Sequence, residues 1–142
     1  MSAQPFTLHP RLAADCVILG DLPLCRVLLM NDSQYPWVIL VPRRADLREI
    51  YELDAADRGQ LMAESCRLAE GMMRLFSGEK CNVAALGNQV PQLHIHHIVR
   101  RSDDAAWPRP VWGALPSIPY SAEENEQRVQ SLRSMLGLTG AV

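Results

Sequence analysis

Three of the four histidines in the chain lie within four consecutive positions, at His94, His96 and His97 in the stretch QLHIHHIVR. An imidazole has an unperturbed pKa near neutrality, so it can serve as a nucleophile, as a proton donor or acceptor, or as a metal ligand. The cluster is therefore a candidate metal site, a candidate catalytic site, or a group of histidines packed without chemistry. The fourth histidine, His9, lies far upstream, and we expect it to be exposed or hydrogen-bonded locally.

Alternation along an extended strand sorts these side chains onto two faces. Residues 92–99 predict a strand, in which successive side chains point to opposite sides of the sheet. Gln92, His94 and His96 then share one face, with about 7 Å of strand rise between the two histidines. His97 falls on the other face, which is otherwise apolar. We therefore expect His97 to be buried with a hydrogen-bond partner of its own, outside the polar site.

A metal site is one alternative for the polar face. His94 and His96 could share a zinc ion, because His-x-His on a strand is a known zinc geometry. No third or fourth ligand is apparent, since the four cysteines form no C-x-x-C pair and the chain has no H-E-x-x-H pattern. The residue pattern therefore demands no metal of its own.

Nucleophilic catalysis on phosphorus agrees better with the pattern. A neutral imidazole attacks phosphorus when its other nitrogen is held by a hydrogen-bond partner that fixes the tautomer. A second imidazole on the same face can donate to a phosphate or to a leaving group. The turn GNQVP at 87–91 supplies amide side chains and backbone N–H groups of the kind that bind anions.

The elements that must position these residues follow an α+β order. Apolar runs predict strands at 15–22, 24–32 and 37–44, the last of them buried on both faces. Apolar residues at steps of three and four then predict an amphipathic helix, with Asp54 as its N-cap and Gly78 as its C-terminal stop.

The second half of the chain completes the pattern β-β-β-α-β-β-loop-α. Strands are predicted at 80–87 and 92–100, with Arg100 and Arg101 at a solvated strand end. Residues 103–120 are rich in proline and tryptophan and predict either a loop laid over the surface or an arm that reaches a partner. A capping-box pattern at Ser121 begins a C-terminal helix. This order favours an α+β fold with a largely antiparallel sheet of about five strands.

Composition restricts the class of protein. A chain of 142 residues, 48% hydrophobic and 21% charged, is typical of one soluble globular domain. The net charge of −2 argues against non-specific binding to nucleic acid or to an anionic membrane. No apolar run reaches the length of a transmembrane helix, and the first residues do not have the pattern of a signal peptide. The scattered cysteines predict free thiols in the cytoplasm.

The motif and its surroundings resemble the histidine triad (HIT) family of nucleotide hydrolases and transferases. The family signature is His-φ-His-φ-His-φ-φ, with φ apolar, after a turn of the type Gly-Gln-Ser/Thr-Val. On GNQVPQLHIHHI this places Gln92, His94 and His96 at the first, second and third triad positions. The segment LLMNDSQYPWVILVPRR extends the resemblance, which spans a core of residues 12–101. The motifs DDAAWP and PVWG in 102–142 resemble a bacterial, diadenosine tetraphosphate hydrolase-like branch.

The resemblance implies a HIT-like fold and specific roles for single residues. The middle histidine of the family attacks the α-phosphorus and forms a covalent nucleotidyl-histidine that water later cleaves. Here that nucleophile would be His94, with His96 contacting a phosphate or the leaving group. The resemblance also implies substrate contacts. Asn88 and Gln89 in the turn and Asn82 on the strand before it would contact phosphate or the leaving group, and Asn31 or Asp32 falls at the family's ribose position. Apolar residues of the first three strands, such as Leu28 and Val38, would line the base pocket.

Two departures from the family pattern bear on activity. Gln92 replaces a histidine that helps to orient the others, and an amide cannot titrate; Gln89 replaces a hydroxyl. The resemblance implies a homodimeric hydrolase of dinucleoside polyphosphates or nucleoside phosphoramidates, with no required cofactor and with magnesium entering only alongside a polyphosphate substrate. The alternatives are a catalytically weak nucleotide-binding module and, less favoured, a metal-binding protein.

Overall fold

Five antiparallel strands form one sheet in the order β1-β2-β3-β5-β4. The structure, a computed structural model, describes residues 5–142. The strands are β1 (Cys16–Asp21), β2 (Cys25–Met30), β3 (Trp37–Pro42), β4 (Lys80–Ala84) and β5 (Ile95–Arg100). The helices are α1 (Pro10–Asp15), α2 (Ala55–Leu75) and α3 (Ala122–Leu136), with a 3-10 turn at Ile50–Glu52. The α+β fold with an antiparallel five-stranded sheet, a long helix and a C-terminal helix is thus confirmed.

The two faces of the sheet are covered differently. Helices α2 and α3 pack on one face around Leu68 and Leu132, both fully buried. The opposite face is covered by α1 and by residues 102–120, which bury Leu12, Ala106 and Val111 against it. Every residue of β3 is buried because the strand lies between these two layers. This confirms the prediction made from its uninterrupted apolar run. Within residues 5–142, no helix combines the length and apolar character needed to cross a membrane.

The long helix begins as predicted but ends earlier. Asp54 is the N-cap of α2, and its carboxylate accepts a hydrogen bond from the backbone N–H of Asp57 at 2.8 Å. The helix ends at Leu75, and Ser77 adopts the left-handed conformation expected for Gly78, with φ at 50°. Gly78 is required for close packing instead, since a Cβ there would lie 2.6 Å from Val99.

A buried carboxylate that the helical pattern did not predict joins α2 to the sheet. Glu64 is 3% exposed, and its two oxygens accept hydrogen bonds from the backbone N–H groups of Leu24 and Cys25, each at 2.8 Å. The side chain of Gln60 donates a third hydrogen bond to it. Buried charged groups are tolerated when they are satisfied in this way.

Replacing Glu64 with alanine is expected to lower the free energy of unfolding by about 1–3 kcal/mol, because two buried N–H groups lose their acceptor. Urea unfolding at neutral pH measures this loss. Glu70→Ala is the matched control on the same helix, since it removes only an exposed ion pair with Arg74 and is expected to cost less than about 0.5 kcal/mol. Equal losses in the two variants would contradict the role assigned to Glu64.

The end of β5 is buried, contrary to the solvated strand end predicted for it. Arg100 is 2% exposed, and its guanidinium makes two hydrogen bonds to the carboxylate of Asp104, at 2.8 and 3.0 Å. A third N–H, on Nη1, donates to the side-chain oxygen of Asn82 at 2.9 Å. The prediction was wrong because the chain after β5 turns back over the sheet and encloses the arginine. Arg101, the next residue, is half-buried and forms an ion pair with Asp103.

Candidate active site

The histidine strand is shorter than predicted, yet its faces separate as expected. β5 begins at Ile95, so Gln92 and His94 lie in an irregular stretch before it. The backbone N–H of Leu93 donates to the carbonyl of Leu47, which belongs to no strand, so this stretch does not pair with the sheet. The rings of His94 and His96 still lie on one side, with their centroids 4.9 Å apart.

His97 lies on the helix side of the sheet and takes no part in this pair. It is fully buried, its Nδ1 lies 3.1 Å from the carbonyl of Ile95, and its Nε2 lies 2.7 Å from the hydroxyl of Ser65 on α2. Because the carbonyl can only accept, Nδ1 carries the proton and Nε2 accepts from the serine. Burial lowers the pKa of His97 to about 4, so the ring is neutral and links β5 to α2.

Acid is expected to destabilise the fold through His97. Its pKa is about 6.5 in an unfolded chain and about 4 in the folded protein. The unfolded state therefore binds the extra proton between these values, and His97 alone lowers the free energy of unfolding by about 3 kcal/mol as the pH falls from 6.5 toward 4; the lowered pKa values of His94 and His96 add to this slope. Urea unfolding at pH 7, 6, 5 and 4 measures this slope. His97→Gln is expected to be less stable at pH 7 but to show a shallower slope, and an equal slope in both proteins would contradict the assignment.

The tautomer of His94 is fixed by the backbone. Its Nδ1 lies 2.7 Å from the carbonyl oxygen of Gln92. A carbonyl accepts only, so Nδ1 carries the proton and the lone pair is left on Nε2. Burial lowers the pKa of His94, which favours the neutral ring. His94 therefore has the protonation state that a nitrogen nucleophile needs.

His96 is held in the opposite tautomer. The indole N–H of Trp37 donates to its Nδ1 at 3.0 Å, so the proton of the neutral ring is on Nε2. Burial, with the neighbouring His94 and His97, lowers the pKa of His96 to about 3. The two facing imidazoles thus offer complementary atoms, a lone pair on His94 and an N–H donor on His96.

A cavity of about 460 Å³ opens beside these two rings. Its walls combine apolar side chains with a few polar groups, the usual make-up of a small-molecule site. Gly87 opens the turn before the histidines with φ at 81°, which glycine adopts without strain, and the turn faces the cavity. The lining comes from α1, the sheet, this turn and the C-terminal segment, and includes Leu12, Asp32, Ile39, Asn88, Gln89, Val90, His94, His96, Val111 and Trp112.

The predicted site residues divide into two groups. Asp32, Asn88 and Gln89 line the cavity with His94 and His96. The other predicted residues are bound elsewhere: the side-chain oxygen of Asn31 accepts from the backbone N–H of Tyr120, and that of Asn82 accepts from Arg100. At the ribose position, the structure therefore brings Asp32 to the cavity and turns Asn31 away.

The apolar residues named for the base pocket do not line the cavity. Val38 packs on the helix side of the sheet, and Leu28 lies on the cavity side but is covered. Ile39, the neighbour of Val38 in β3, points to the cavity side, and Met30, on the same face as Leu28, lines the cavity at the end of β2.

The side-chain amide of Gln92 makes no hydrogen bond to His94 or His96 among the described residues 5–142, because the N-terminal segment binds it. Its side-chain oxygen accepts from the backbone N–H of His9 at 2.8 Å, and its side-chain nitrogen donates to the carbonyl of Thr7 at 2.9 Å. Both polar ends of the amide are therefore occupied by the N-terminal segment. The backbone carbonyl of Gln92 is what holds His94.

Comparison with known proteins identifies the family. The model of the HIT domain matches residues 11–103, about two thirds of the chain. The chain belongs to the HIT family. A search of curated proteins found no match, whereas similar solved structures are histidine triad proteins.

Three solved HIT structures are similar to this chain along nearly its whole length. A histidine triad protein from Marinobacter aquaeolei VT8 is 56% identical, with 94% of this chain and 98% of that chain covered and a TM-score of 0.92. The histidine triad protein blr8122 from Bradyrhizobium japonicum is 46% identical, with 93% and 98% covered and a TM-score of 0.91. A histidine triad protein from Sinorhizobium meliloti 1021 is 43% identical, with 91% and 96% covered and a TM-score of 0.88.

Several cavity residues were not predicted from the sequence, and one of them, Trp112, also lies outside the segment matched by the HIT model. Arg11, Leu12 and Asp15 come from α1, a helix signalled only by Pro10 at its first position and His9 as its cap. Trp112 comes from the C-terminal segment, and its ring centroid lies 5.2 Å from that of His96. Residues 102–120 therefore form a wall of the HIT site, packed on their own sheet.

His94 also borders a second cavity of the HIT domain. This cavity has a volume of about 520 Å³ and shares Leu86, Gly87 and His94 with the first one. Its other walls come from the segment around the 3-10 turn, the start of α2 and the approach to β5: Arg48, Glu49, Ile50, Tyr51, Arg58, Ala85, Gln92 and Leu93. Within residues 5–142, no group of three or more His, Cys, Asp or Glu side chains is arranged to hold a metal ion.

Proposed function

We propose that this HIT protein is a nucleotide hydrolase that cleaves a phosphoanhydride or phosphoramidate bond at the α-phosphate, through a covalent nucleotidyl intermediate on His94. The observation that carries the proposal is the complementary pair of tautomers. The carbonyl of Gln92 leaves the Nε2 lone pair of His94 free, and the indole of Trp37 leaves a proton on Nε2 of His96. Membership of the HIT family supports a nucleotide-binding or hydrolase-type function.

The reaction would proceed by two displacements at phosphorus. The Nε2 lone pair of His94 forms a bond to the α-phosphorus, and the bond from phosphorus to the bridging oxygen or nitrogen breaks, so the leaving group departs with that electron pair. A phosphate leaving group needs no proton at neutral pH, whereas an amine takes one from water; Nε2–H of the neutral His96 can donate a hydrogen bond to the phosphate or to the leaving group but keeps its proton. Water then bonds to phosphorus, the phosphorus–nitrogen bond breaks, its electron pair returns to His94, and one proton of the water is released.

The other cavity residues suit a nucleoside monophosphate. Asn88 and Gln89 supply amide groups beside the histidines, where they can bind phosphate oxygens. Asp32 is 4% exposed and lines the same cavity; its Oδ1 accepts from Gln34 and from the backbone N–H of Ile118, so Oδ2 is the oxygen that can accept from ribose hydroxyls. The apolar walls and Trp112 leave room for a base. Magnesium would enter only with a polyphosphate substrate.

Incubation with diadenosine tetraphosphate and with adenosine phosphoramidate, each with and without chelator, tests the proposal. Release of AMP from at least one substrate, lost in His94→Ala, is the expected result, and chelator should leave any turnover of the phosphoramidate unchanged. Nucleotide binding without turnover of either substrate would favour the binding module. Stoichiometric zinc that is lost on mutating His96 would overturn both hypotheses in favour of a metal-binding protein.

We also propose that the protein is a cytoplasmic homodimer joined through β4. This strand is an edge of the sheet, and its Val83 is 51% exposed. At the opposite edge, Arg133 already donates to the carbonyls of Ile18 and Leu19, which blocks pairing there. Sedimentation velocity should show a dimer for the native protein and a monomer for Val83→Lys. A native monomer would contradict this proposal.

A further inference from the structure

The second cavity lies where a substrate attacked by His94 must have its other half. Cleavage at an α-phosphorus divides the substrate into a nucleotidyl part and a leaving part, which extend from the same atom. The protein has two cavities that share His94, together with Leu86 and Gly87. The first one has the lining expected for the nucleotidyl part. The second also borders His94, on the side of the 3-10 turn and the start of α2.

The charges that line the second cavity favour an anion. Seven other arginines have a carboxylate within 4.0 Å. Within residues 5–142, Arg48 and Arg58 are two of the six arginines that have none, and both line this cavity, together with Glu49. Arg58 donates one hydrogen bond to the carbonyl of Leu53, which leaves most of its N–H groups available. Two guanidinium groups without carboxylate partners beside the nucleophile suit a phosphate chain, which arginine binds with paired N–H groups.

Arg100 and Arg101, which follow the histidines directly in the sequence, do not fill this role. Arg100 is excluded because it is buried, is paired with Asp104 and Asn82, and lines neither cavity. Arg101 donates to the carboxylate of Asp103 and to the carbonyl of Ser77, and it lines neither cavity. Distal phosphates bound near His94 therefore require cations from another part of the chain.

We propose that the second cavity is the subsite for the leaving group, and that Arg48 and Arg58 select substrates whose leaving group is a phosphate chain. This inference rests on the proposed function and deepens it. The preferred bond would be a phosphoanhydride, with an anionic leaving group. A phosphoramidate whose leaving group is a neutral amine gains nothing from the two arginines.

Binding of two ligands that share the AMP half tests this assignment without requiring turnover. The ligands are AMP and a diadenosine tetraphosphate analogue with a methylene group in place of the α,β bridging oxygen. Isothermal titration is carried out on the native protein, on the double variant Arg48→Gln/Arg58→Gln, and on Arg74→Gln. Arg74 is the matched control because it lies on α2 like Arg58, is exposed and lines neither cavity.

The analogue is expected to bind the native protein and the control at least about tenfold more tightly than AMP does, the advantage expected of one or two charge-assisted hydrogen bonds. In the double variant this advantage should fall below about twofold, while AMP affinity changes by less than about twofold. An advantage that survives the double substitution, or AMP binding with no advantage in the native protein, would overturn the subsite. Absence of AMP binding to the native protein would instead overturn the proposed function, and the inference with it.

Kinetics provide a second readout. If the subsite is correct, the double variant loses about tenfold in kcat/KM for diadenosine tetraphosphate but less than twofold for adenosine phosphoramidate. Equal losses on both substrates would show that the arginines act on the shared nucleotidyl half, and would overturn the assignment.

Discussion

Replacing His94 with alanine is expected to lower kcat by about four orders of magnitude or more, because the variant has no nitrogen to form the covalent intermediate. Nucleotide affinity should change little, since the cavity walls and the amide groups of Asn88 and Gln89 remain. The measurement is steady-state AMP release, together with a binding titration of AMP on the same protein preparation.

The neighbouring histidine on the other face provides the control for this variant. His97 directly follows His96 in the chain but lies against Ser65 on the helix side of the sheet, so His97→Gln changes a histidine outside the cavity. Once folded, it should retain kcat within about threefold, although it is less stable. If His97→Gln lost as much activity as His94→Ala at a temperature where both are folded, the assignment of His94 as the nucleophile would be contradicted.

The second large effect is expected at His96. In the proposed mechanism its Nε2–H donates to developing charge on the phosphate or on the leaving group, and removal of one such donor costs about 10²–10³ in kcat. His96→Ala should therefore be slow but not inactive, in contrast to His94→Ala. A rate within about threefold of the native rate would show that His96 does not act in the chemical step.

Trp37 should influence the rate through His96. Trp37→Phe keeps an aromatic ring but removes the indole N–H that fixes the imidazole, and we expect a loss of about tenfold in kcat, which corresponds to about 1.4 kcal/mol. Trp112→Phe is the matched variant, because Trp112 also packs against His96 while its indole N–H has no hydrogen-bond partner within residues 5–142. It lines the cavity, so it should raise KM and leave kcat nearly unchanged. Equal kcat losses would indicate packing instead of tautomer control.

The elements and the separation of the histidines could be predicted because they depend on local patterns. β3 has apolar residues throughout, and alternation assigned His97 to the core even though β5 begins three residues later than expected. Helix α2 begins at Asp54 and α3 at Ser121, where short-range capping patterns place them. Such signals involve residues three or four positions apart.

The rest of the site depends on contacts between distant segments, which local periodicity does not encode. The side chain of Gln92 binds residues 83 and 85 positions away, and Trp37 binds His96 across 59 positions. Gln92, at the first triad position, accepts a hydrogen bond from His94 through its backbone carbonyl. Because every residue has such a carbonyl, this hydrogen bond does not require a histidine at that position. Gln92 therefore leaves the state of the nucleophile unchanged and uses its amide to anchor the N-terminal segment.

The covalent intermediate is the central claim, and intact-protein mass spectrometry tests it most directly. The protein is mixed with excess adenosine phosphoramidate, or with diadenosine tetraphosphate, and is denatured at alkaline pH within the first turnovers, since a phosphorus–nitrogen bond on histidine is labile in acid. The account predicts a species heavier by one AMP less one water, accumulating in His96→Ala at least as strongly as in the native protein and absent from His94→Ala. Turnover with no such species, or the same adduct in His94→Ala, would contradict it.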